Sequence, residues 1–171
     1  MNFGNEYELS SKIKVSCYEP HSVWNDSIFH FNIDGFNVLN INDAGLNFRI
    51  KKYLPKIDLL MSSFSPGASG FPLCWENYNT EEKISYYKRA KKGMIDMLGR
   101  ACELYEADFL LPFASHFDLH HPNHKEYRSI LKQYGKNTVD DVKNNLKNVE
   151  VIDILPGESW NCLDGRTFRM Y

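Results

Sequence analysis

The chain has 171 residues, 43% of them hydrophobic and 25% charged, a composition that excludes a disordered segment and suits one globular domain with a buried core. Its formal net charge of -2 excludes a general electrostatic pull toward nucleic acid or an anionic membrane, and no run approaches the roughly 18 apolar residues of a membrane span. The four cysteines, Cys17, Cys74, Cys102 and Cys162, are dispersed without a CxxC pair or a leading signal peptide and read as reduced thiols of a cytoplasmic protein.

After a polar lead-in, strands are expected at about 13–18, 27–33 and 36–41, the last two joined by the hairpin signal Asp34-Gly35. Leu46 to Leu54 has helical character and stops before Pro55, and Ile57-Asp58-Leu59-Leu60-Met61 reads as a buried strand. A loop of small residues, Ser62 to Pro72, follows. Its glycines allow close backbone approach to a ligand, although such loops are also ordinary connectors, and no Lys-Ser/Thr pair makes it a nucleotide phosphate loop.

Asn79 and Thr80 cap the longest helix, about 80–105, with Glu82 as the capping-box partner of Asn79. Ile84, Tyr87, Ala90, Met94, Met97, Leu98, Ala101, Leu104 and Tyr105 form its packing stripe, and Lys83, Lys88, Arg89, Lys91 and Lys92 make its first half basic. Such a face is usually solvated, or else draws an anionic substrate toward the neighbouring loop. Tyr86 and Tyr87 fit packing better than base stacking, so nucleic-acid binding is not expected. A strand at 108–113, short helices near 124–134 and 138–147 and a strand at 149–155 complete a sheet covered by helices on one face, of α/β or α+β class.

His21, Asp43 and His116 each follow an expected strand beside turn-forming residues. Imidazole with carboxylate suits zinc or iron with open positions for water or substrate, while a lone Asp there is equally a turn former and His116 equally a hydrogen-bonded loop residue. The segment 116–124 holds four of the six histidines, a density that points to a role for His120 and His121, while a polar loop can equally carry them without one. Ser65, Gly67, Ser69 and Gly70 of the small-residue loop are candidate substrate contacts, and Trp75 is the tryptophan best placed to touch a ligand.

Ser65-Pro66-Gly67-Ala68-Ser69-Gly70-Phe71-Pro72, the Lys-rich helix after it, Leu111-Pro112-Phe113-Ala114, His121-Pro122, Asn144-Asn145-Leu146 and Pro156-Gly157 together resemble the metallo-β-lactamase-like part of the CMP-N-acetylneuraminate hydroxylase family, best over 59–158. The resemblance implies an αββα-type α/β fold, of which residues 1–171 form a single domain or half-domain matching the second half of the sandwich. It implies that His21, Asp43 and His116 match metal ligands, Asp43 as the bridging carboxylate, and that the ligand is an anionic sugar or sugar nucleotide. The family-type HxHxDH motif is absent, as are the C-x-H and C-x-x-H pairs of a Rieske cluster, so the hydroxylase reaction cannot be carried by this chain alone. A half sandwich exposes an apolar sheet face and implies a partner chain carrying the first half, or a homo-oligomer. Two functions follow: a metal-dependent enzyme half of hydrolase or oxygenase type, and a non-catalytic sugar-binding or assembly subunit.

Overall fold

The computed structural model describes residues 3–20, 26–66, 73–114 and 118–169. Strands β1 (Glu6–Ser10), β2 (Ile13–Tyr18), β3 (Ile28–Ile33) and β4 (Phe36–Asn40) pair antiparallel, each with the next. Asp34 and Gly35 both take positive φ, 53° and 94°, which is the twist a tight hairpin between β3 and β4 requires. The polar lead-in is thus partly a strand. β1 lies at the sheet edge, where Glu6 pairs with Lys14 at 2.9 Å and every residue of the strand but Tyr7 is exposed.

From β4 onward the pairing is parallel, through β5 (Leu59–Ser63), β6 (Phe109–Phe113) and β7 (Glu150–Val151), so the seven strands lie in chain order. The expected strand at 149–155 shrinks to these two residues. Ile152 N–H still donates to the Leu110 carbonyl at 2.8 Å, but the next position on that side of β6 is Pro112, which has no N–H to continue the ladder. The helical segment at 46–54 is a 3₁₀ helix, Phe48–Tyr53, and the strand expected at 57–61 lies at Leu59–Ser63.

Helix α1 (Thr80–Tyr105) connects β5 to β6 and begins at the expected capping box: Asn79 Oδ1 accepts from Glu82 N–H at 3.0 Å and Glu82 Oε2 from Asn79 N–H at 2.9 Å. α2 (Lys125–Tyr134) and α3 (Val139–Asn145) lie between β6 and β7. Parallel strands added always on the same side, through crossovers of one hand, place every connecting helix on one face of the sheet. There Leu39, Leu60 and Leu110 meet Ile95, Leu98, Ala101 and Tyr105 in the main core, with Val142 of α3.

The opposite face carries Val38, Leu59 and Ile152 with the half-buried Phe31, Phe36, Met61, Phe109 and Leu111. Among the described residues it is covered by the hairpin β8 (Glu158–Trp160) and β9 (Thr167–Arg169), whose Trp160 ring lies 4.9 Å from Phe109 and 6.4 Å from Phe36. One face of the sheet is a finished core, and the other is an apolar surface with a small cap. No helix of the described residues is long and apolar enough to cross a membrane.

Candidate site at the carboxyl edge of the sheet

The register brings several chain segments to one edge. Tyr18 ends β2 opposite Ile28, Phe29 pairs with Asn40 at the end of β4, Asn40 with Met61, and Ser63 with Phe113. The turn after β4, the loop after β5 and the turn after β6 therefore all leave from the carboxyl ends of parallel strands, and the β2–β3 connection starts and finishes at that same edge. Outside the carboxyl ends of such strands the side chains of successive loops converge, and there open α/β sheets bind ligands.

Asp43 sits here, in the 3₁₀ turn Asn42–Ala44 that follows β4. It is exposed and makes no hydrogen bond or ion pair with a described residue, so its carboxylate is available. The turn is held from β5: Ile41 N–H donates to the Met61 carbonyl at 3.0 Å, and Ser63 Oγ–H to the Asn42 carbonyl at 3.4 Å. Asn42 has φ 21°, and Ala114, directly after β6, has φ 56°. A non-glycine residue in the left-handed region costs about 1–2 kcal/mol, and two of them turn the chain at the same edge.

Asn40 Oδ1 and Asn42 Oδ1 are buried at this edge without a hydrogen-bond partner among the described residues. Buried carbonyl oxygens almost always have a partner, so acceptors left bare beside a free carboxylate fit a cation or the donors of a bound ligand. The sequence reading passed over both asparagines. Their signal was a polar-apolar-polar-acidic run, Asn40-Ile41-Asn42-Asp43, at the end of an otherwise apolar strand.

His21 and His116 lie outside the described residues, as do Gly67, Ser69 and Gly70. Among the described residues no group of three or more His, Cys, Asp or Glu side chains is placed to hold a metal ion.

Ser65 is 2% exposed, and its Oγ accepts from Asn137 N–H at 3.2 Å. The Asn137 amide donates to the Phe64 carbonyl at 2.7 Å and the Lys91 carbonyl at 2.8 Å, so this asparagine fixes the start of the post-β5 loop to α1. Trp75 is 44% exposed and stacks on Tyr78, 5.7 Å between centroids, which in turn meets Tyr86 at 4.8 Å.

The basic half of α1 is not a uniformly solvated face. Lys83 is buried, donating to Tyr127 Oη at 3.2 Å; Lys88 lies 4.5 Å from the Tyr134 centroid; Lys91 donates to the Tyr134 carbonyl at 2.9 Å. These amines seat α2 on α1. Tyr87 is in the core, its hydroxyl donating to the Gly135 carbonyl at 3.1 Å, and burial pushes that phenol up to about 12.

The histidine-rich segment divides. His120 is exposed, with Nε2 3.7 Å from Asp118 Oδ2. Desolvation would raise the Asp118 carboxyl, but Leu119 N–H and the Arg128 guanidinium at 2.8 Å outweigh it and hold that carboxyl below its ordinary value. His121 Nδ1 accepts from Asn123 N–H at 3.3 Å, and its ring lies 5.2 Å from that of His124. His121 thus caps the 3₁₀ turn Pro122–His124 that leads into α2.

Comparison with known proteins agrees with this architecture. The metallo-β-lactamase fold protein YhfI from Bacillus subtilis superposes with a TM-score of 0.50 at 14% identity, over 89% of this chain and 50% of that one. The inactive cytidine monophosphate-N-acetylneuraminic acid hydroxylase of Homo sapiens is 31% identical over 104 residues, 59% of this chain and 20% of the human protein. The corresponding hydroxylase of Pan troglodytes is also 31% identical over 104 residues, 59% of this chain and 17% of its own length. The matched segment thus spans a fifth or less of these curated relatives. No family model matches the chain. The chain has a metallo-β-lactamase-type α/β fold, resembles the hydroxylases over part of its length, and aligns with half of the YhfI structure.

Proposed function

We propose that this chain is the metal- and substrate-holding half of a metallo-β-lactamase-fold enzyme acting on an anionic sugar or sugar nucleotide. The observation that carries the reading is Asp43, a carboxylate without a described partner at the carboxyl edge of parallel strands, flanked by the bare acceptors Asn40 Oδ1 and Asn42 Oδ1. Asp43, His21 and His116 would hold the ion, zinc or iron. When bound, a divalent metal lowers the pKa of a coordinated water and polarises substrate.

The protein's own contribution is positioning. Ser63 fixes the Asn42 backbone, and Asn137 fixes the loop start at Phe64 and Ser65, so the edge is shaped before ligand arrives. Trp75, His120 and His121 stand as candidate contacts for the sugar, with Gly67, Ser69 and Gly70 at the loop. The hydroxylase names of the relatives supply the substrate class, and the metallo-β-lactamase fold supports the metal.

The apolar sheet face favours a second reading, a non-catalytic sugar-binding or assembly subunit that docks on a chain carrying the first half of the fold or on a second copy of itself. Elemental analysis of protein purified with zinc, iron and manganese present separates the two. About one metal per chain, lost in His21→Ala and in Asp43→Ala, supports the enzyme half; protein without metal in every sample overturns it and leaves the assembly role.

A further inference from the structure

The segment from Glu158 to Arg169 folds on itself. Its turn carries Asp164-Gly165, with Gly165 at φ 68°, and is closed from within: Leu163 N–H donates to Asn161 Oδ1 at 2.9 Å, Arg166 N–H to Asp164 Oδ1 at 3.0 Å, and Asn161 N–H to the Arg166 carbonyl at 2.9 Å. β8 and β9 pair only with each other, over three residues each. A two-stranded hairpin of this length is at best marginally stable alone in water, so what it rests on decides whether it stays ordered.

It rests on one side chain. Among the described residues every hydrogen bond made by 158–169 has its partner within 155–169, and no ion pair leaves the hairpin. Trp160 alone of these residues joins the apolar cluster of the sheet face, edge to face with Phe109 at 4.9 Å and tilted on Phe36 at 6.4 Å. β9 is exposed along its whole length.

The chain leading to the hairpin is fixed only as far as Ile154. Ile152 N–H donates to the Leu110 carbonyl at 2.8 Å, Asp153 pairs with Lys143 of α3 at 2.8 Å, and Ile154 packs in the same apolar cluster. Beyond them Leu155 is 58% exposed and Gly157 has φ 86°. A connection of this kind can swing without breaking a sheet hydrogen bond or opening the main core.

We propose that the β8–β9 hairpin is a strap. Docked through Trp160 it shields Phe36 and Phe109, and it swings off as a unit about 155–157 when a second copy of the chain brings the same apolar face against this one. The identity of that partner rests on the second reading above; a second copy suffices because an isologous contact uses one face on both sides. Strap and partner compete for the same two rings, so affinity for the partner is reduced in proportion to the fraction of chains whose strap is open.

The test combines native-state hydrogen exchange, binding of a hydrophobic dye and sedimentation over a range of concentrations, all on the full chain, for wild type, Trp160→Ala, Trp160→Phe and Leu163→Ser. In wild type the Asn161 and Gly165 amides are expected to exchange at least about a hundredfold faster than those of Leu60 and Leu110 in the central strands. Trp160→Ala should raise dye fluorescence several-fold and tighten self-association about tenfold, with Leu60 and Leu110 still protected. Trp160→Phe, which keeps a ring on Phe109, should stay near wild type, and Leu163→Ser, at a side chain 92% exposed, should change neither readout. Hairpin amides as slow as Leu60 and Leu110, dye binding unchanged in Trp160→Ala, or loss of Leu60 and Leu110 protection in that variant overturns the strap. Increased dye binding without a change in sedimentation supports the strap and overturns docking of a second copy alone.

Discussion

The side-chain amide of Asn137 donates to the carbonyl of Phe64 at 2.7 Å, across 73 residues of chain. The same amide donates to the Lys91 carbonyl, and the Asn137 backbone N–H donates to Ser65 Oγ, so one residue ties together three polar groups where β5 ends and the candidate substrate loop begins. Removing the amide leaves two buried carbonyls without this donor, each worth about 1–3 kcal/mol when unsatisfied. Asn137→Ala is therefore expected to lower the unfolding free energy by about 2–4 kcal/mol in urea melts, and Asn137→Asp by at least as much, since a carboxylate donates nothing and sets an oxygen against both carbonyls.

His30 sets one arm of the pH dependence. It is 8% exposed; burial lowers its pKa, opposed by a hydrogen bond at 3.2 Å to Asn37 Oδ1, which also accepts from Asn32 Nδ2 at 2.9 Å. A histidine whose folded pKa is depressed binds fewer protons folded than unfolded, so stability falls as pH drops through the ordinary value of 6.5 and levels off below the folded pKa. Urea melts at pH 7.5 and 5.5 should show this loss, and His30→Gln should flatten it.

Asp141 sets a separate window at lower pH. Thr138 N–H donates to its carboxylate at 2.8 Å and, despite some desolvation, holds its pKa below the ordinary 3.8. A depressed carboxyl stabilises the fold above its unfolded pKa and loses that contribution as pH falls through the folded one. Thr138→Ala, which removes the reciprocal cap of α3, is expected to cost about 1 kcal/mol at pH 7.

The partly covered sheet face predicts association. Phe31 and Met61 are half-buried on it, and an apolar surface of this kind binds a second sheet or a hydrophobic dye. Phe31→Lys with Met61→Lys should reduce dye fluorescence several-fold and shift a concentration-dependent oligomer, measured by sedimentation, toward monomer. Unchanged dye binding and sedimentation would show that the face is not the associating surface.

Much of this architecture was legible in the sequence because local signals agreed with the global fold. The Asp34-Gly35 hairpin and the Asn79–Glu82 capping box both lie where residue chemistry puts them. β1 was hidden because an edge strand needs only one partner and carries charge. β7 was overcalled because Pro112 on its neighbour, not its own apolar run, ends the ladder. Lys83 was misread as a solvated cation because its burial depends on Tyr127, 44 residues away. At the candidate site, Asp43 is proposed from its strand-end setting, whereas Asn40, Asn42 and Asn137 stand out through contacts and bare acceptors that no local pattern encodes.

The central claim, a metal at the carboxyl edge, is tested most directly by adding Mn²⁺ to isotopically labelled protein and recording which backbone amides broaden. The account predicts broadening centred on Asn42, Asp43 and Ala44, extending to Ser65 and Ala114, and abolished in Asp43→Ala. Broadening centred on His121 and His124 at the start of α2, or none at stoichiometric metal, would contradict it.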